Sequence, residues 1–137
     1  MQAASVSGDR EIPILVEDDI VRARSAGRDL CRDLGFSEIN QVKVATAISE
    51  LARNIFQYAK TGLVVLRTLS GARAGIEIVA SDQGPGITDV PLVLGGNYRS
   101  RTGMGKGLLG ARRLMDHFEI DSGPGRGTKV TLRKYVR

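Results

Sequence analysis

The sequence predicts an α+β domain, a two-layer sandwich in which helices cover one face of a mainly antiparallel, mixed sheet. Three observations carry this. The elements are segregated: an apolar run, two helical stretches, two strand-like runs, a glycine-rich region, a third helical stretch and a last pair of strand-like runs. A doubly wound fold would alternate them. Residues 38–59 place Val44, Ile48, Leu51, Ala52, Ile55 and Ala59 on one side at about 100° per residue, an apolar stripe that calls for a sheet beneath it. Residues 63–69 and 74–81 flank a short loop with Gly71, which suits an antiparallel hairpin.

Taken in order, residues 1–10 read as a flexible polar leader to a single domain over 11–137. The run EIPILV (11–16) is apolar, and its Pro13 suits an edge strand. Asp18 or Asp19 is placed to cap a helix through about Leu34, with Ile20, Ala23, Gly27, Leu30, Cys31 and Leu34 as its stripe. Gly35 supplies the stop and Ser37 the next cap. On the second helix, Glu50 and Asn54 lie one turn apart on the side away from the stripe, with Lys43 and Ala47. The small Ala47 leaves room for an approaching group. After the hairpin, DQGPGI (82–87) interrupts regular structure. Residues 89–94 suit a short helix. Residues 95–106 read as a basic, glycine-rich loop, expected to be mobile because little in it can pack. A helix resumes over 108–117 through Leu108, Ala111, Leu114 and Met115. Residues 118–121 and 129–135 form the final strands around SGPGRGT.

Composition narrows the function. The chain of 137 residues is 42% apolar and 26% charged, ordinary for one soluble domain. No apolar run approaches the roughly 18 residues that span a bilayer, and no signal peptide is evident. The lone Cys31 forms no internal disulfide and lies on an apolar stripe, so packing and a cytoplasmic location are expected. Net charge is +5, divided as −2 over residues 1–98 and +7 over 99–137. Such a basic third attracts anions. With six aromatics and no stacking cluster, a nucleotide or acidic protein fits better than nucleic acid. His117 reads as structural.

Individually the glycine clusters are ambiguous. GMGKG departs from the G-x-x-x-x-G-K-[ST] phosphate loop, and GKGLLG has dinucleotide spacing without a βαβ unit around it. Together the motifs are more specific. Glu-x-x-x-Asn on a helix, D-x-G-x-G after a strand, G-x-G-x-G before a helix and G-x-G-T before the last strand resemble the Bergerat ATP-binding fold of the GHKL superfamily. The segments ISELARNI, DQGPGI, GMGKGL and RRLMDHFEI look most like the serine/threonine kinases of bacterial partner-switching modules, the stressosome switch kinases among them.

That resemblance implies ATP and Mg²⁺ as cofactors and assigns roles. Asn54 matches the metal-coordinating asparagine, and an amide oxygen suits a hard cation. Glu50 matches the general base. Asp82 matches the acceptor for the adenine amino group, with Gly84 and Gly86 letting the loop pass close to the base. Thr128 resembles the threonine that supports Asp82. Gly103, Met104, Gly105, Lys106, Gly107 and Leu108 would form the phosphate-wrapping lid. Arg101 falls where relatives place an arginine on the γ-phosphate, with Arg99 and Lys106 competing for that place; Arg53 reads as an ion-pair residue. The implied partners are a STAS-domain antagonist as phosphorylation substrate, a stressosome scaffold, and an effector such as a PP2C-type phosphatase. Neither nucleic acid nor membrane is implied. An anti-sigma factor that also phosphorylates its antagonist would carry the same site. A module that binds ATP without catalysis is the less favoured reading, because Glu50 is retained.

Overall fold

The computed structural model describes residues 4–95 and 104–136. Its elements are β1 (Ala4–Ile14), α1 (Asp18–Asp33), α2 (Glu38–Asn54) with a π-helical turn (Ile55–Ala59), and the hairpin β2 (Gly62–Gly71) and β3 (Gly75–Asp82). After them come α3 (Val90–Leu94), α4 (Met104–Leu114), β4 (His117–Ser122) and β5 (Thr128–Tyr135). The five strands run in the order β1-β2-β3-β5-β4, and each neighbouring pair is antiparallel. This is the expected sandwich.

Alternation along the strands sends one residue set toward the helices. In one register row Ile12, Val64, Ala80, Val130 and Ile120 face them; in the next, Leu66, Ile78, Leu132 and Phe118 do. Against these rows pack Val44, Ile48, Leu51 and Ala52 of α2, each at most 2% exposed. On the other face Glu77 lies buried between Arg133, whose Nη2 is 2.8 Å away, and Arg67 at 3.5 Å. Long side chains thus close over that face, with Arg73 stacked 3.8 Å above the Tyr135 ring.

Helix ends are built much as their residues suggest. Leu34 caps α1; Gly35 then takes φ +89°, letting Gly35 N–H reach the Arg32 carbonyl and Phe36 N–H reach that of Cys31. Ser37 Oγ accepts from Asn40 N–H at 3.2 Å and starts α2. Cys31 is fully buried, which pushes its thiol up to about 12 and leaves it a packing residue.

Three features depart most from the sequence reading. The strand does not begin near Glu11: residues 4–10, read as a flexible leader, already pair with β2. β2 runs to Gly71 and offers backbone donors and acceptors along its whole edge, which a partner strand satisfies. The register shifts between Ser7 and Arg10, so an irregularity at Gly8-Asp9 breaks the alternation that would have revealed the strand. At the other end of the chain, α4 starts at Met104 rather than Leu108 and finishes at Leu114, with His117 already in β4. The third difference is at Asp19, which does not cap α1 from its front. Its Oδ2 instead accepts the N–H groups of Leu15 (2.9 Å) and Val16 (3.0 Å), fastening the turn between β1 and α1.

Those two N–H groups, Leu15's foremost, hold the Asp19 carboxyl below its usual range against the opposing effect of burial, and Arg22 adds to them. A depressed folded-state pKa stabilises above the unfolded value, about 3.9, and the contribution disappears as pH falls through the lowered value. Asp19→Ala should therefore be less stable than wild type at pH 7, with the gap closing under acid. Urea unfolding at a series of pH values measures this; a gap that persists unchanged to pH 2 would contradict it.

Candidate active site

The cleft forms where α2 and its π-helical turn run over the end of the sheet. Beyond Asn54 the backbone widens into the turn Ile55–Ala59, and Lys60 reverses it with φ +75°. A π-helical turn is uncommon and recurs at functional sites, because it shifts side chains relative to the regular helix. Here it sets Ile55 and Tyr58 into the cleft wall beside Asn54.

The sheet residues that line the cleft are Ala80, Asp82, Thr128 and Val130, and Asp82 and Thr128 belong to the last register row, where Ile14, Gly62, Asp82, Thr128 and Ser122 lie side by side across all five strands. Asp82 and Thr128 are direct cross-strand partners and both line the cleft. Burial pushes the Asp82 carboxyl up, while the backbone N–H groups of Gly84 and Thr128 pull the other way. The Gly84 N–H is 2.9 Å from Asp82 Oδ1, so the carboxylate is oriented by its own loop.

That loop interlocks with the 123–127 turn. Gly125 N–H donates to the Pro85 carbonyl at 2.8 Å and Ile87 N–H to Ser122 Oγ at 2.8 Å. Gly86 has φ +79°, and a Cβ there would run into the Gly123 carbonyl. Only glycine fits. A Cβ on Gly84 would press on Ala59 of the π-turn at 2.7 Å, so this loop also approaches the helix closely.

α4 closes the remaining side. The Ala47 side of α2 is not open: Ala47 is fully buried, and α2 packs against α4 there. The contact converges on Gly107, where a Cβ would lie 3.1 Å from Glu50 Oε1 and 3.4 Å from Asn54 Oδ1. Glu50 and Asn54, both part-exposed, thus face the first turn of α4 across a gap with no room for a larger side chain. Arg53 holds Glu50 from the solvent side, its Nη1 3.3 Å from Oε2. Leu108, 1% exposed, is part of the cleft wall.

The structure therefore brings Glu50, Asn54 and Gly107 together at one end of the cleft, and Asp82, Gly84, Gly86 and Thr128 at the other. Met104, Gly105 and Lys106 belong to the first turn of α4 rather than to a loop, and Lys106 is exposed. The N–H groups of that turn have no partner within the helix. Arg99, Arg101 and Gly103, and with them most of the loop expected to be mobile, lie outside the described residues. Apolar cleft residues, Ile55 and Ile87 among them, were not singled out as such by the sequence, and neither were two polar ones. Tyr58 was counted as one more helix residue, and Ser122 as part of a turn. The period-2 spacing of Phe118, Ile120 and Ser122 was the available signal for the second.

A half-buried carboxylate and a threonine on the sheet, a Glu-Asn helix and a glycine helix start are arranged as an ATPase domain of the histidine kinase type would need them. Residues 13–134 match the family described as the histidine kinase-like ATPase domain. Serine/threonine-protein kinase RsbT of Bacillus subtilis is 42% identical over 127 residues, 92% of this chain and 96% of that protein. The chain belongs to the histidine kinase-like ATPase family and, within it, to the RsbT-type serine/threonine-protein kinases. Anti-sigma F factor of a Thermoanaerobacter species is 33% identical over 113 residues, 76% of this chain and 75% of that one. Among solved structures, the RsbU and RsbW domains of a Mycobacterium tuberculosis protein superpose with a TM-score of 0.62 at 18% identity. The match covers 93% of this chain and 32% of that one, and shares the fold.

Gly107→Ala tests the α2–α4 contact. The added methyl displaces the Glu50 carboxylate by a few tenths of an ångström while improving helix propensity by about 1 kcal/mol. We expect unchanged or slightly raised thermal stability together with at least a tenfold loss of phosphotransfer, since small misplacements of reacting groups are costly. Wild-type turnover in this variant would show that the close approach has no catalytic role.

Proposed function

We propose that the chain is a switch kinase that phosphorylates a STAS-domain antagonist with Mg-ATP and, once released, binds and activates an effector such as a PP2C-type phosphatase. The observation that carries this reading is the convergence of Glu50, Asn54 and Gly107 at one end of a cleft whose other end holds Asp82 and Thr128.

The residues fit a nucleotide. A base would rest between Ile55 and Ile87 with its polar edge at Asp82, and the phosphates would lie toward the first turn of α4, a helix start of the kind that favours anions. They fit magnesium too. Among the described residues no group of three His, Cys, Asp or Glu side chains forms a metal cage. A single amide oxygen at Asn54 suits an ion that keeps water and phosphate oxygens as its other ligands. When bound, Mg-ATP supplies the phosphoryl group, with the metal neutralising its charge.

The remaining work falls to side chains of this protein. Glu50 takes the proton of the partner's hydroxyl, and Arg53 orients the carboxylate from behind. Asp82, oriented by the Gly84 N–H, accepts from the base amine. Arg101 supplies the cation for the γ-phosphate, with Arg99 and Lys106 as the alternatives. The acceptor residue is brought by the partner, and phosphorylation there adds nearly two negative charges, enough to separate the pair.

The likeness to anti-sigma F factors favours a second reading, in which the docked partner is a sigma factor and the antagonist is still the substrate. Pull-downs with a sigma factor, a STAS domain and a PP2C phosphatase separate the two.

Glu50→Gln should lower transfer from labelled ATP to a cognate STAS protein by about 10²–10⁴-fold while nucleotide affinity stays within a factor of about two. Labelling at the wild-type rate would remove Glu50 from the base role.

A further inference from the structure

Ser122 ends β4, opposite Thr128, and its hydroxyl is within hydrogen-bond distance of three groups. Ile87 N–H is 2.8 Å from Ser122 Oγ, the Gly127 carbonyl oxygen is 2.8 Å away, and Thr128 Oγ1 is 2.9 Å away. The direction of each bond follows from what the partners are. Ile87 N–H only donates, so Ser122 accepts there; a carbonyl only accepts, so the single Ser122 proton goes to Gly127. Ser122 then has one lone pair left for Thr128, and no proton for it. Thr128 must donate.

We infer that Ser122 is a specificity-determining positioning residue: by taking the Thr128 hydroxyl proton, it leaves Thr128 presenting only acceptor lone pairs to the cleft. Thr128 lines that cleft beside Asp82, itself an acceptor when ionised. The polar edge of a bound base thus meets two acceptors on one register row, held by three strands. A base carrying an exocyclic amine satisfies them. A base with a carbonyl oxygen at that position meets like with like and leaves acceptors unpaired, the arrangement that gives the largest discrimination. Ser122 reaches this outcome without touching the ligand, and it simultaneously ties the 82–87 loop to β4 through Ile87 N–H. The inference rests on the nucleotide reading above and adds the residue that sets its base preference.

The test compares ATP with inosine triphosphate, in which a carbonyl oxygen replaces the amine and the adjacent N1 carries a proton, by calorimetric titration of the whole chain. Wild type should prefer ATP at least tenfold. Ser122→Ala frees the Thr128 hydroxyl to rotate and donate into the cleft, and the preference should fall about tenfold. Thr128→Val should lower it similarly, and Ser122→Ala in the Thr128→Val background should lower it no further, because Ser122 acts through Thr128. Ser122→Thr, which keeps the hydroxyl, should retain the preference. If Ser122→Ala does not fold, Ser122→Cys, a weak acceptor, should show an intermediate preference. A purely structural role predicts lower thermal stability with an unchanged ratio, and that result, or additive effects in the double variant, would overturn the inference. Wild type that binds neither nucleotide would overturn the nucleotide reading and the inference with it. Wild type that binds ATP and inosine triphosphate equally would overturn the inference alone.

Discussion

The placement of β5 between β3 and β4 is the constraint on which the site depends. It joins the β4–β5 hairpin to the distant β3, bringing Asp82, Thr128 and Ser122 into one row, all on the helix-facing side. Because side chains alternate, a slip of one residue in either pairing would send Thr128 to the opposite face and Lys129 into the cleft. The apolar rows beneath enforce the register, since a slip would also expose Val130 and Leu132, each at most 3% exposed. Core and site are thus specified by the same ladder.

α2 meets a harder demand, since it must bury an apolar stripe and still carry Glu50 and Asn54. It does so by being enclosed on three sides, by the sheet, α1 and α4, with small residues where the approach is closest. Ala47 and Ala52 are fully buried, and Gly107 supplies the matching absence on α4. Glycine in a helix costs about 1 kcal/mol relative to alanine. Its retention in the first turn of α4 is explained by the oxygen atoms of Glu50 and Asn54 3.1 and 3.4 Å from where a Cβ would stand.

Local chemistry was legible in the sequence wherever one element supplied both signal and consequence. The Ser37 cap, the Gly35 stop, the α2 stripe and the central hairpin all follow from periodicity and residue type within a few positions. What was hidden depended on partners remote in sequence. β1 is a strand from Ala4 because β2 has an edge to fill, not because its own polar residues alternate. Asp19 looked like a helix cap, but its carboxylate serves N–H groups upstream that become available only when β1 turns into α1. Ala47 reads as leaving room for an approaching group; it is fully buried, on a helix that packs against the sequence-remote α4. Ser122 sits in SGPGRGT, where turn composition masks a residue that is still in the strand. The motif residues stood out by resemblance; the wiring behind them did not.

The two ends of the cleft are held in different ways, and this has a mechanistic consequence. At the base end, Asp82 and Thr128 sit on paired strands, and Ser122 and the Gly125–Pro85 bond lock the flanking loops to one another. Moving any one of these groups breaks several hydrogen bonds together. At the other end, among the described residues, Glu50 has one ion pair, part-exposed, to Arg53, and faces Gly107 where a Cβ would crowd it; an exposed ion pair contributes little. On the proposed reading, this asymmetry would build recognition of the base into the sheet and leave the geometry around Glu50 to respond to whatever docks against α2 and the first turn of α4. If the acceptor hydroxyl arrives on a partner protein, as proposed, that is the end that should be adjustable: a carboxylate held weakly until docking completes its surroundings would be a poor catalyst of ATP hydrolysis by water and a competent one only in the complex.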